Sequence, residues 1–152
     1  MRQISRIPGW CACGLVLFSL ATGGALADVA DDEAIKAAAL DYAEGWLTGD
    51  EERMARALHP EALKRRVVTD LRTDVRSVQV LDADTLLKAT REGVGVGGGP
   101  LSFRVAILDR HGDMAVVRVV SSLYVEYLQM VRWDERWIIL SVLWGTIAAP
   151  GE

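Results

Sequence analysis

Apolar positions change their period along this chain. From Asp31 to Leu47 they recur at helical spacing, with Ile35, Ala39, Tyr42 and Trp46 on one stripe behind an acidic start, Asp31-Asp32-Glu33, that suits a helix N-terminus. Thr48-Gly49 stops this helix, Asp50 caps a second over Glu51 to Leu58 with Met54, Ala55 and Leu58 inward, and His59-Pro60 ends it. A third, short helix is expected over Asp84 to Arg91, capped by Asp84 or Thr85 and packed through Leu86, Leu87 and Ala89. Elsewhere the period is two. Lys64 to Thr69 and Ser77 to Leu81 read as short strands, Ser102 to Leu108 and Met114 to Ser122 as a hairpin around Gly112, and Tyr124 to Trp144 as a strand pair turning at Asp134-Glu135-Arg136. Helices first and a mainly antiparallel sheet after them make an α+β domain.

The last strand pair is apolar on more than one side. Tyr124, Glu126, Leu128, Met130 and Arg132 share one face against Val125, Tyr127, Gln129, Val131 and Trp133. The following strand divides Trp137, Ile139 and Leu143 from Ile138, Leu140, Val142 and Trp144. Such a strand pair serves a lining inside a curved sheet and a contact surface outside it.

The start of the chain has a different character. Arg2 and Arg6, an apolar run from Cys11 to Leu26 and the small-residue site Ala25-Leu26-Ala27 read as a secretory signal peptide over residues 1–27, leaving 28–152 as a single exported domain, periplasmic or secreted and free of the membrane after processing. Both cysteines, Cys11 and Cys13, leave with it, so no disulfide or thiolate is expected. The formal charge of −4 becomes more negative once Arg2 and Arg6 are lost, which speaks against nucleic acid as a partner.

Several spaced blocks carry a family resemblance. Asp41-Tyr42-Ala43-Glu44-Gly45-Trp46, Gly49-Asp50, Arg53-Met54, Ala57-Leu58-His59-Pro60 and Lys64-Arg65 are followed by Thr90 with Gly93, Val105 to Asp109, Tyr127-Leu128, and Trp137-Ile138 through Val142-Leu143-Trp144. In this order they resemble the putative lumazine-binding family of the nuclear transport factor 2-like (NTF2-like) superfamily over essentially all of residues 28–152. The resemblance implies a cone-like, cystatin-like barrel in which a strongly bent, mainly antiparallel sheet wraps the N-terminal helices, leaving a pocket at one end and an outer sheet face that often forms homodimers. That superfamily holds dehydratases, isomerases, cyclases and non-catalytic binding domains, so it carries no single reaction. The chain departs from the pattern at Glu135, where glycine is usual, and at Gln129, where histidine often stands.

Candidate chemistry is sparse. Tyr42 and Trp46, one turn apart, suit a pocket wall whose phenol and indole N–H orient a ligand, and Tyr124, Tyr127 and Trp144 are the strand aromatics that would join them, with His59 at the end of the second helix. For proton transfer the candidates are His59, Tyr42 and Glu126, and Tyr124–Glu126 is the one acid/donor pair that strand spacing puts on a single face. Asp41 and Glu44 are the other carboxylates near the aromatics, but Asp41 points about 100° from Tyr42 on a helix. His59 also reads as a structural helix-end histidine, and His111 as a solvated turn residue. Lys64-Arg65-Arg66 reads as a solvated strand end, with attraction of an anionic ligand or partner as the alternative.

Gly93, Gly95 and Gly98 match GxGxxG but follow a helix and run into Pro100, the wrong context for a dinucleotide; the loop instead suits a mobile cover over the pocket mouth. No ligand spacing points to a metal, and no cofactor is expected. The expectation is an exported, homodimeric, non-catalytic domain for a small apolar or aromatic ligand. The alternative is a cofactor-free isomerase, dehydratase or cyclase acting on a small apolar cyclic compound.

Overall fold

A computed structural model describes residues 23–147 of the chain. The expected leader lies outside the described residues as far as position 22, and its last residues already belong to the first helix. That helix, α1 (Gly23–Thr48), starts earlier than its acidic segment suggests and ends as expected at Gly49, whose φ of 75° lets the Asp50 N–H return to the Gly45 carbonyl at 3.0 Å. Asp50 caps α2 (Glu51–Ala57) by accepting the Arg53 N–H. Inside α2 the buried residues are Met54 and Ala57, and Ala55 is exposed. The cap of α3 (Ala83–Arg91) is Asp82, which accepts the Thr85 N–H, and its buried side chains are Ala83, Leu86 and Thr90.

Six strands form one sheet: β1 (Leu58–Thr69), β2 (Arg76–Asp82), β3 (Arg104–His111), β4 (Met114–Val120), β5 (Tyr124–Trp133) and β6 (Arg136–Thr146), in the order β2-β1-β6-β5-β4-β3. Every pairing is antiparallel except β1 with β6, which is parallel. The chain enters β1 directly from α2 at Leu58, so His59-Pro60 lies in an irregular stretch of strand where the register against β6 shifts between Leu58 and Leu63.

Two bulges decide which residues face the helices. In the β5–β6 ladder Gln129 pairs with Ser141 and Met130 with Ile139, leaving Leu140 unpaired and reversing the phase of β6 at that point. Trp137, Ile139, Val142 and Trp144 therefore share the inner face with Tyr124, Glu126, Leu128 and Met130, in place of the strict alternation read from the sequence. Leu108 does the same between β3 and β4. The inner face packs on Ile35, Ala39 and Tyr42 of α1, with Met54 and Leu86 from the other helices.

The N-terminal half of α1 is fastened by ions. Arg110 on β3 meets Asp28 at 2.5 Å and Asp31 at 2.9 Å, and Arg132 on β5 reaches Asp31 and Asp113. Tyr42 lies about 16 Å further along the same helix, at its rise per residue, so α1 runs the length of the sheet's concave side.

The β5–β6 turn has both loop residues in the left-handed region, Asp134 at φ 46° and Glu135 at φ 62°. Replacing Glu135 by glycine removes a side chain from a conformation that disfavours it, and is expected to raise stability by about 1 kcal/mol, offset in part by glycine's chain entropy. Urea unfolding of Glu135→Gly checks this, and an unchanged or lower midpoint contradicts it.

Candidate functional site

Three distant segments meet inside the sheet. Helical spacing places Tyr42 and Trp46 on the buried side of α1, alternation places Lys64 and Arg66 on the inner face of β1, and Glu126 projects inward from β5. The Tyr42 hydroxyl donates to Glu126 Oε1 at 2.9 Å. Lys64 Nζ donates to the same Oε1 at 2.7 Å and to the Tyr42 oxygen at 2.8 Å, closing a triangle. All three residues are buried, with Lys64 and Glu126 each retaining 7% exposure.

Aromatic faces surround the ammonium. Lys64 Nζ lies 4.7 Å from the Trp144 ring centroid, 5.4 Å from that of Tyr42 and 5.8 Å from that of Trp46. On the neighbouring inward position of β1, the Arg66 guanidinium is 4.3 Å from the Trp144 centroid, while Tyr124 meets Trp144 edge-on at 5.3 Å. Trp46, Arg66, Tyr124 and Trp144 are half-buried and mark where the cluster reaches the surface.

The glycine-rich loop crosses this end. A Cβ at Gly95 would lie 2.4 Å from the Trp46 carbonyl oxygen and 2.5 Å from its indole nitrogen, and one at Gly98 would touch Leu123 and Leu47. The loop backbone is thus seated on Trp46 at a distance that only glycine allows.

Burial pushes the Tyr42 phenol well above its ordinary value, and the charge and hydrogen bond of Glu126 act in the same direction. Tyr42 is therefore a neutral donor. Of the three Lys64 protons two are used within the triangle, and Glu126 Oε2 takes no protein hydrogen bond among the described residues.

The expected site residues separate into two groups. Tyr42, Trp46, Tyr124, Trp144 and Glu126 come together, although the partner of Glu126 is Tyr42, and Tyr124 instead packs against Trp144. His59 does not join them: its Nδ1 accepts the Glu61 N–H at 3.1 Å and its ring stands edge-on to Trp133, near the β5–β6 turn. Tyr127 lies on the outer face of β5, 42% exposed, because period two sends it opposite to Glu126. Asp41 and Glu44 are both held by Arg53 and tie α1 to α2.

Lys64 is the correction that matters most. It is no solvated strand end, because parallel pairing sets it beside Val142 on the inner face. The only signal for it in the sequence is the alternation Ala62, Lys64, Arg66, and that pattern does not say which face is buried.

Two apolar grooves lie elsewhere. One of about 360 Å³ runs past Met114, Val116, Gln129 and Leu140, and one of about 540 Å³ past Arg118, Val125 and Tyr127. Both are on the outer face, where Asp109, His111 and Gln129 border the first and Arg104 joins Arg118 and Tyr127 at the second, and neither contains a buried hydrogen-bonded triangle like that of Tyr42. Among the described residues no His, Cys, Asp and Glu group is arranged to hold a metal, and no helix is long and apolar enough to cross a membrane.

The model of the putative lumazine-binding family matches residues 30–145. The chain belongs to that family. Solved structures agree on the NTF2-like fold. An NTF2-like protein of unknown function from Silicibacter pomeroyi is 14% identical at a TM-score of 0.62, covering 79% of this chain and 98% of its own. One from Shewanella baltica is 17% identical at 0.59, covering 80% and 97%. A ketosteroid isomerase-like protein from Erwinia carotovora atroseptica is 14% identical at 0.55, covering 77% and 96%. The search of curated proteins gives no match. At such identities the likeness is one of fold alone, and it assigns no role to the Tyr42 cluster.

The Tyr42 shift has a stability consequence. The folded state holds the phenol proton more tightly than the unfolded chain, so this contribution is complete below the free-tyrosine value of about pH 10 and is lost as pH rises above it. Urea midpoints between pH 8 and pH 11 should fall more steeply for the wild type than for Tyr42→Phe, and parallel curves would contradict the assignment.

Proposed function

We infer that this member of the putative lumazine-binding family is an exported, homodimeric domain that binds a small molecule at the Tyr42–Lys64–Glu126 cluster without turning it over. The observation that carries this reading is a buried, hydrogen-bonded polar triangle rimmed by Trp46, Tyr124 and Trp144 at the end of the sheet where the core reaches solvent. A few converging polar groups in an aromatic setting orient a ligand. Catalysis is disfavoured by the way the triangle is spent. Oε1 of Glu126 already accepts two hydrogen bonds, one from an ammonium, and the Tyr42 proton points at Glu126 instead of outward. Exposed Tyr127, Leu143, Met114, Val116 and Leu140 on the outer face support a second copy as the partner there.

A cofactor-free isomerase, dehydratase or cyclase is the second reading. It is favoured by the 2.9 Å contact between a carboxylate and a phenol, with Glu126 Oε2 open to act as base and Tyr42 as donor. Similar structures include that ketosteroid isomerase-like protein and a protein described as a putative dehydratase, from Streptomyces avermitilis.

Native mass spectrometry of protein purified from its own host tests the first reading. Two copies, each carrying one small molecule that Lys64→Met fails to retain, are expected. Protein that carries nothing, or that converts its extracted ligand to a new compound, contradicts it.

A further inference from the structure

The charges at the site do not cancel, and their imbalance says what kind of molecule fits. Glu126 neutralises Lys64 at 2.7 Å. Arg66, the next inward residue of β1, spends only its Nε, which donates to Gln79 Oε1 at 2.6 Å; its terminal nitrogens meet no carboxylate among the described residues. The site therefore holds one unpaired positive charge on a half-buried guanidinium, in a chain whose formal charge is −4.

Cation–π contact offsets part of that charge. It leaves the planar N–H edge of Arg66 without an anion, and a guanidinium edge suits the two oxygens of a carboxylate. Lys64 has one further N–H, two positions along the same face of β1.

The surroundings favour a flat partner. Trp144 and Tyr124 stand edge to face at 78°, Lys64 and Arg66 lie over the Trp144 ring, and the Gly95 backbone meets Trp46 at its carbonyl and indole nitrogen, so these aromatic groups are held in place by their neighbours. Lys64 and Glu126 each keep only 7% exposure, and Arg66 stands beyond them as the half-buried cation.

Resting on the binding reading above, we propose that the ligand is a small planar organic anion, its ring laid against the aromatic rim and its carboxylate or equivalent oxyanion held by Arg66 with the free N–H of Lys64. A cationic ligand meets Lys64 and Arg66 as like charges. A neutral one leaves the guanidinium edge unpaired, at a cost in selectivity.

Isothermal calorimetry of the purified protein with 2-naphthoate and its neutral isostere 2-naphthamide separates these cases. The naphthoate is expected to bind at least about tenfold more tightly, a difference of about 1.4 kcal/mol, and to weaken with added salt. Arg66→Gln should abolish the preference, and Arg66→Lys should keep part of it. Equal binding of the two probes, or a preference that survives in Arg66→Gln, overturns the anion assignment while leaving a binding site in place. Binding of neither probe, in protein that also carries nothing from its host, overturns both readings together.

Discussion

The hydrogen-bonded triangle of Tyr42, Lys64 and Glu126 is the constraint on which the rest of this structure depends. Two opposite charges taken out of water cost several kcal/mol each, and only close pairing with further hydrogen bonds repays that. Their segments, α1, β1 and β5, are far apart in sequence. For the triangle to close, β1 must lie beside β6 with Lys64 inward, β5 must present Glu126 on the same face, and α1 must turn Tyr42 onto both. A one-residue shift of β1 or β5 would carry a charge to the other side of the sheet along with the apolar residues of its inner face, so the triangle adds to the register that burial already sets.

The two ends of α1 are held by different physics. At its N-terminal half, Arg110 pairs with Asp28 and Asp31 and Arg132 with Asp31 across a partly exposed surface, where ion pairs contribute little individually. Toward its C-terminal end the contacts are buried, aromatic and polar together, and a loop that needs glycine at position 95 is pressed against Trp46. Polar groups are costly to bury, and here they sit next to the half-exposed rim.

Much of the fold is legible in the sequence because its strongest signals are local. The stripe of Ile35, Ala39, Tyr42 and Trp46, the stop at Gly49 and the cap at Asp50 each depend on neighbours within a turn or two, and all are present. The inner face of β6 was not legible, because the extra residue Leu140 reverses its phase and a bulge leaves no mark in a run as apolar as Trp-Ile-Ile-Leu. Lys64 was hidden for a related reason: a lysine followed by two arginines reads as solvated until the parallel β1–β6 pairing sets its face. Tyr42, Trp46, Tyr124 and Trp144 belong together in space, whereas Tyr127 lies on the outer face and His59 beside Trp133. What joins Glu126 to Tyr42 is a contact across 84 positions, beyond the reach of any spacing rule.

A double-mutant cycle on the triangle tests the account most directly. Urea unfolding free energies of the wild type, Lys64→Met, Glu126→Leu and the combined variant report whether the two charges depend on each other in the folded chain. Each single substitution strands a buried charge and should cost about 3 kcal/mol, while the double variant, with an apolar pair in their place and only the Tyr42 hydroxyl left unpaired, should lose about 2 kcal/mol and not the sum of about 6. Losses that simply add would mean that Lys64 and Glu126 do not pair inside the sheet, and would contradict the site built upon them.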